Sequence, residues 1–233
     1  MTSSFLNSND TTDTTKQNKI DEPLSTWRQL TLNIKGQPKN FQLHTQRIML
    51  AMNIRLQPYL PGALNDFFLS IETAGRPLRE KMFRLVSPLL ETTQREYFSQ
   101  WLSEDSDANL ECAYYPGAVF SSNNCQKPPT DDDEVDDASL LDNFLNENYN
   151  NVIDKAHYCI AYGNIDHAQK LLELELTLIH KGKQFSKIEQ ELLNLYYHTK
   201  NKQALEAMSQ NMLASNKQLS TEWKQVQNAA KEW

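Results

Sequence analysis

Histidine, cysteine and acidic side chains most often bind metals or move protons, so their spacing is weighed first. The 233-residue chain has histidines at 44, 157, 167, 180 and 198 and cysteines at 112, 125 and 159. His157 and Cys159 stand two apart, which on a helix turns them to different sides and makes a poor ligand pair. Cys112 and Cys125 have no second pair of ligands near them and read as free thiols. An odd number of cysteines builds no disulfide framework. The run Asp131–Asp137 lacks the glycine turn and terminal glutamate of an EF-hand loop and reads as a solvated charge run. No P-loop, dinucleotide glycine pattern, nucleophile elbow or HExxH motif occurs. The expectation is a non-enzymatic chain with no metal and no cofactor.

Three other groups have types that bind macromolecules. Tyr158, Tyr162, Tyr196 and Tyr197 fall around helix ends, where they serve either as core and rim or as anchors for a peptide. In "ASLLDNFLNENY", Leu140, Leu141, Phe144 and Leu145 make a short apolar edge in acidic surroundings. Such an edge docks into a groove of its own chain or another, with Leu141 and Phe144 as contacts, or it is a linker carrying a few hydrophobes. Arg76, Arg79, Lys81 and Arg84 form a basic cluster, either a solvated helix face or a counterpart for acidic residues elsewhere.

The elements that position these residues read as all-α. Only 39% of the chain is hydrophobic, helix-compatible residues dominate, and β-branched alternation is scarce. Residues 1–24 are rich in Ser, Thr, Asn and Asp and are expected to be disordered. "WRQLTLNI" fits a short strand or the lip of a helix. Phe41, Ile48, Met52, Leu56 and Leu60 share one helical face, broken at Pro61-Gly62. Leu64, Phe67, Phe68 and Ile71 line a second helix ended by Gly75. Pro77 opens a third, carrying Met82, Leu85 and Val86. A fourth begins at Thr93-x-x-Glu96, a capping-box pattern, and buries Tyr97, Trp101 and Leu102. Residues 25–102 thus read as a helical bundle.

Charge divides the rest. Residues 25–102 carry 10 basic against 5 acidic side chains, 103–150 carry 1 against 12, and 151–233 carry 10 against 9. The acidic block predicts a linker over 103–146 whose end, 131–147, can dock on one of its neighbours. The start of the chain has no secretory pattern. No window approaches the roughly 20 apolar residues of a membrane span. A cytoplasmic protein is expected, and the net charge of −7 argues against binding of the whole protein to nucleic acid.

From Val152 the periodicity is clean. Val152, Ala156, Cys159 and Ile160 form one face, ended by Gly163 as a left-handed cap. Asp166-x-x-Gln169 fits a reciprocal cap for the next helix, whose inward residues are Ala168, Leu171, Leu172, Leu176 and Ile179. Gly182 marks a break. Ile188, Leu192, Leu195 and Tyr196 then lead through "HTKN" to Ala204, Leu205, Met208 and Met212. Trp223, Val226, Ala230 and Trp233 line a closing helix. Ala168 and Ala204 lie 36 residues apart, each expected to be fully buried just past a hairpin turn. A small residue repeated at that period predicts tetratricopeptide-like hairpins with a capping helix over 147–233.

The segments "AHYCIAYGNIDHAQKLLELEL", "IEQELLNLYYHTKNKQALEAMSQNM" and "EWKQVQNAAKEW" resemble the C-terminal helical repeat module of FimV-type proteins, bacterial polar scaffolds associated with type IV pili. The resemblance covers residues 150–233. The family also carries an upstream peptidoglycan-binding LysM module and a membrane span, and this sequence shows neither. What the resemblance implies is an adaptor that binds protein partners in pole, pilus or motility organisation, recruited to the cell pole or the inner-membrane face. The alternative is a nucleic-acid-binding protein that uses the basic 25–102 region, with the repeat for recruitment.

Overall fold

The computed structural model describes residues 12–53, 56–71, 75–103, 115–120, 137–179 and 182–233, with side chains except at 12–21 and 137–140. Among these residues all regular structure is helical.

The first helix, α1 (Thr12–Gly36), begins inside the stretch expected to be disordered and absorbs "WRQLTLNI". Trp27, Leu30, Thr31 and Ile34 are all buried, and their i, i+3, i+4, i+7 spacing is the reason the segment is a helix and not a strand. Its two ends serve different cores. Trp27 belongs to the core built by α2 (Phe41–Ala51), α3 (Leu60–Ser70), α4 (Arg76–Val86) and α5 (Thr92–Ser103), whereas Leu32 and Ile34 belong to that of the C-terminal helices. One helix from the N-terminal region therefore contributes to both cores.

In the first core the apolar faces fall near where the sequence puts them, with shifted ends. Phe67, Phe68, Phe98 and Val86 are fully buried, while Leu85 and Phe41 are exposed. Pro61-Gly62 does not break a helix. Both sit in the first turn of α3, where proline forfeits no intrahelical hydrogen bond. The cap of α5 lies two residues earlier than the Thr93–Glu96 pattern: the Glu91 amide donates to Oε1 of Gln94 at 3.1 Å.

The second core is built by α6 (Asp137–Asn148), α7 (Val152–Tyr162), α8 (Ile165–Leu178), α9 (Lys183–Thr199), α10 (Lys202–Ala214) and α11 (Thr221–Ala229). The α7–α8 and α9–α10 corners are built alike. Gly163 (φ 93°) and Lys200 (φ 55°) are left-handed, and Asn164 and Asn201 follow as N-caps. The Asn164 amide donates to Cys159 O, and the Asn201 amide to Tyr196 O. Amides of Ala168 and Leu205 then donate to Asn164 O and Asn201 O. The corners thus repeat at 37 residues and not 36, so Leu205 occupies the place of Ala168. Both are 0% exposed, and Ala204 is only half-buried, against expectation. The cap of α8 is Asn164, without the reciprocal Asp166–Gln169 bonds.

Part of the predicted linker is structural. In Tyr115–Phe120, Ala118 and Val119 are buried between the two cores. A Cβ on Gly62 would lie 2.4 Å from Pro116 O, and one on Gly163 only 2.0 Å from Ala118 O. The segment is wedged where only glycine leaves room for its backbone.

Candidate functional site

Helices α7 and α9 present adjacent faces, and α1 lies across both. Trp27 Nε1 donates to Ala161 O at 2.9 Å. His198 Nδ1 lies 2.8 Å from Asn33 Oδ1, and Lys35 Nζ lies 3.4 Å from Asp166 Oδ2. A Cβ on Gly36 would fall 2.2 Å from His198 O, so the helices close to backbone contact there. His157 Nε2 meets Glu191 Oε2 at 3.2 Å between α7 and α9. That hydrogen bond holds the Glu191 carboxyl below its ordinary range against burial, and the charges of His157 and Arg28 add to it. One groove face of the hairpins is thus already filled by α1, which turns Leu32 and Ile34 inward and bears Arg28 and Lys35.

The corresponding space between α9 and α11 is open. It is a cleft of about 500 Å³ whose walls include Leu193, Tyr197 and Val226 beside Glu189, Ser220 and Glu222. Tyr197 is 48% exposed, with its ring edge-on to Trp233 at 6.0 Å between centroids. Glu189 is only 8% exposed, and its Oε1 has no hydrogen-bond partner. Burial pushes the Glu189 carboxyl above the usual carboxylate range; the Ser220 hydroxyl opposes this and the charge of Glu222 adds to it. A second cleft, about 460 Å³, runs between α8 and α10, with Gln169, Glu173, Asn201, Ala204 and Met208 on its walls.

The four tyrosines are not one cluster. Tyr158 and Tyr162 stack at 4.4 Å and join Phe144 on one side and Tyr59 on the other, at 5.3 and 5.6 Å. Tyr59 stacks in turn on Trp27 at 5.3 Å, so this column ties α6 and α7 to the first core. Tyr196 is fully buried, and its hydroxyl donates to Glu173 Oε1 at 2.5 Å. Burial and that bond push it far above the ordinary tyrosine range. Of the four, Tyr197 stands at an open groove. On α6, Leu141 is half-buried and Phe144 is 41% exposed, while Leu145 is the residue sunk in the core.

The basic cluster is likewise divided. Arg79 is 6% exposed and donates to Phe68 O at 2.8 Å and to Ile71 O, closing the end of α3. Arg76 and Arg84 both reach Glu80, at 3.3 and 3.4 Å, and Lys81 is exposed. Cys112, Cys125, His180 and the acidic residues 131–136 lie outside the described residues. Cys159 is buried, and burial with the charge of Asp142 pushes its thiol up to about 12. Among the described residues no three His, Cys, Asp or Glu gather as metal ligands, and no helix is long and apolar enough to cross a membrane.

Sequence reading passed over one buried ion pair. Arg47 and Asp66 are both fully buried, with Nη1 donating to Oδ2 at 2.6 Å. The second Arg47 amine donates to Gly117 O, and Asp66 accepts the amides of Val119 at 2.9 Å and Phe120 at 3.1 Å. Burial pushes the carboxyl up and the guanidinium down. Every partner of Asp66 is nevertheless a donor, which only the ionised carboxylate can satisfy on both oxygens. The pair clamps the 115–120 wedge, with the guanidinium 4.1 Å above the Trp27 ring. A lone aspartate inside the apolar run "LNDFFL" was the available signal. Glu189 and Glu222 carried none, because their proximity depends on how α11 docks.

The described residues make an all-α protein with open clefts among its C-terminal helices. Comparison with protein-family models, with curated proteins and with solved structures finds no match to any of them.

Proposed function

We propose that the chain is a protein-binding adaptor, with α7–α10 as tetratricopeptide-like hairpins, α11 as their cap, and a partner segment seated along the C-terminal repeat. One observation carries this reading. The face shared by α7 and α9 holds a helix, while the cleft between α9 and α11 is open and presents an exposed tyrosine. Repeat stacks recognise extended or helical segments along such helix-lined surfaces. The FimV-like pattern of residues 150–233 directs the choice of partner toward pole, pilus or motility organisation, with a cytoplasmic protein recruited to the pole or inner-membrane face. A nucleic-acid reading of the basic cluster is weaker, because Arg79 is internal and Arg76 and Arg84 share Glu80.

The test is a photo-crosslinking amino acid placed at Tyr197, and separately at Lys170 on an exposed part of α8, in the full chain expressed in its native cell. A discrete protein adduct at 197 and none at 170 is expected. Equal labelling at both positions, or adducts at neither, removes the adaptor reading. A fluorescent fusion that stays diffuse, without polar foci, removes the polar assignment alone.

A further inference from the structure

The filled face shows what chemistry this array of helices accepts. In α1 the apolar residues Leu32 and Ile34 enter the core, while Arg28 contributes its charge beside Glu191 and Lys35 reaches Asp166. Asp166 is met by Lys35 of the occupant, and the charge of Arg28 adds to the His157 bond that holds Glu191. Between α9 and α11 the same combination lacks its counterpart. Leu193 and Val226 supply apolar wall, Glu189 and Glu222 supply negative charge, and none of the residues lining the cleft is basic. Glu189 is more than nine-tenths buried and keeps one carboxylate oxygen without a hydrogen-bond partner, an arrangement that natural structures seldom leave unanswered. Tyr197 stands half-exposed at the mouth, where a ring face attracts a cation.

We infer that the α9–α11 cleft binds a lysine or arginine side chain of a partner segment. The alkyl stem lies on Leu193 and Val226, and the cationic head sits between Glu189, Glu222 and the Tyr197 ring. This rests on the adaptor reading and narrows it to a basic, amphipathic partner resembling α1 in character. A compact ammonium or a planar guanidinium both suit two carboxylates and a ring. A neutral residue of equal length leaves both carboxylates as they are.

The experiment is an amide NMR titration of the full isotope-labelled chain with the peptide acetyl-Leu-Lys-Ala-Leu-amide. Controls are the same peptide with norleucine for lysine, and free propylammonium. Saturable shifts at Leu193, Tyr197 and Val226 are expected with the lysine peptide. Binding should weaken about fivefold or more with norleucine, the scale of one exposed cation–ring contact together with lost charge pairing. Glu189→Gln and Glu222→Gln, which keep side-chain size, should each remove that preference while leaving the α1–α7 amide shifts unchanged. Propylammonium reproducing all of the lysine effect would mean a small-amine site and overturn the peptide assignment. Shifts that grow with protein concentration alone would assign the cleft to a second copy of the chain. Equal binding of the two peptides, or no binding, overturns the cation site. The Tyr197 crosslink does not require a basic side chain, so the adaptor reading can survive that loss.

Discussion

His44 should make the fold sensitive to mild acid, because its burial disfavours the charged imidazole. The residue is 1% exposed on α2, with Nε2 lying 2.9 Å from the carbonyl of Pro38. A carbonyl only accepts, so the proton sits on Nε2 and Nδ1 is bare, and Nδ1 is buried with no hydrogen-bond partner. Protonating Nδ1 would place a charge among the rings of Phe67 and Phe120, 6.3 and 6.2 Å away, near the positive Arg47. Burial is the main cause that lowers its pKa to about 4; the Pro38 bond opposes it and Arg47 adds to it. The unfolded chain takes up this proton near pH 6.5 and the folded chain only near 4, so stability is full above 6.5 and falls with pH between those values. At about 1.4 kcal/mol per pH unit the loss by pH 4.5 is about 2–3 kcal/mol. The assay is urea unfolding from pH 7.5 to 4.5, followed by tryptophan fluorescence, for the natural chain and for His44→Gln. Glutamine can still donate to Pro38 but cannot titrate, and the carboxylates that titrate in both chains cancel in the difference. The gap between the two should narrow or reverse by that amount toward pH 4.5. A difference that stays flat across the range would refute an imidazole buried in its neutral form.

Three further perturbations probe other joints. Asp66→Asn leaves the Arg47 guanidinium buried without its counter-charge and should lower unfolding stability by about 3–5 kcal/mol, together with rapid proteolysis near residues 115–120. Ser209 accepts from Trp223 Nε1 at 2.7 Å and Gln227 Nε2 at 3.0 Å and donates to Leu205 O, so Ser209→Ala should cost about 1–3 kcal/mol by calorimetry and raise hydrogen exchange in α11 first. Ala168→Leu should overpack the α7–α8 corner by about 1–3 kcal/mol, whereas Ala204→Leu, on the wall of the α8–α10 cleft, should change the melting temperature little. Equal effects of the two leucines would contradict the corner register.

Local signals in the sequence were read more reliably than signals that depend on two distant segments. The inward faces of α3 and α9 follow from apolar spacing, as does the burial of Trp223 in α11, and Gly163 is the left-handed corner its position suggests. The helix of Trp27, Leu30, Thr31 and Ile34 has equally regular spacing, although "WRQLTLNI" is short enough to fit a strand or the lip of a helix. Acidic residues on both sides of the apolar "YPGAVF" made it read as part of a linker. Its burial is decided by Asp66, Gly62 and Gly163, which lie far away along the chain. The basic cluster failed for a related reason. Arginines three and five residues apart look alike in a string, yet Arg79 points at the end of α3 while Arg76 and Arg84 share an acidic neighbour on the surface.

The repeat shows how a local feature can be found and still be misplaced by one residue. Matching alanine to alanine gives 36, and a small residue at a helix crossing is a sound physical reason to prefer it. The backbone, however, sets the register at the corner: the left-handed residue, the asparagine that follows and the amide bonds across the turn all recur at 37. The volume at the crossing must then be supplied differently in each hairpin. In the first it is an alanine, with Leu172 and Leu176 buried one and two turns on. In the second it is Leu205, and the space one turn on is taken by Ser209, small enough to admit the indole of Trp223. That exchange of large for small positions brings α11 onto the stack. The docking of α11, and with it the cleft lined by Glu189 and Glu222, therefore rests on the small Ser209 standing where the first hairpin carries Leu172.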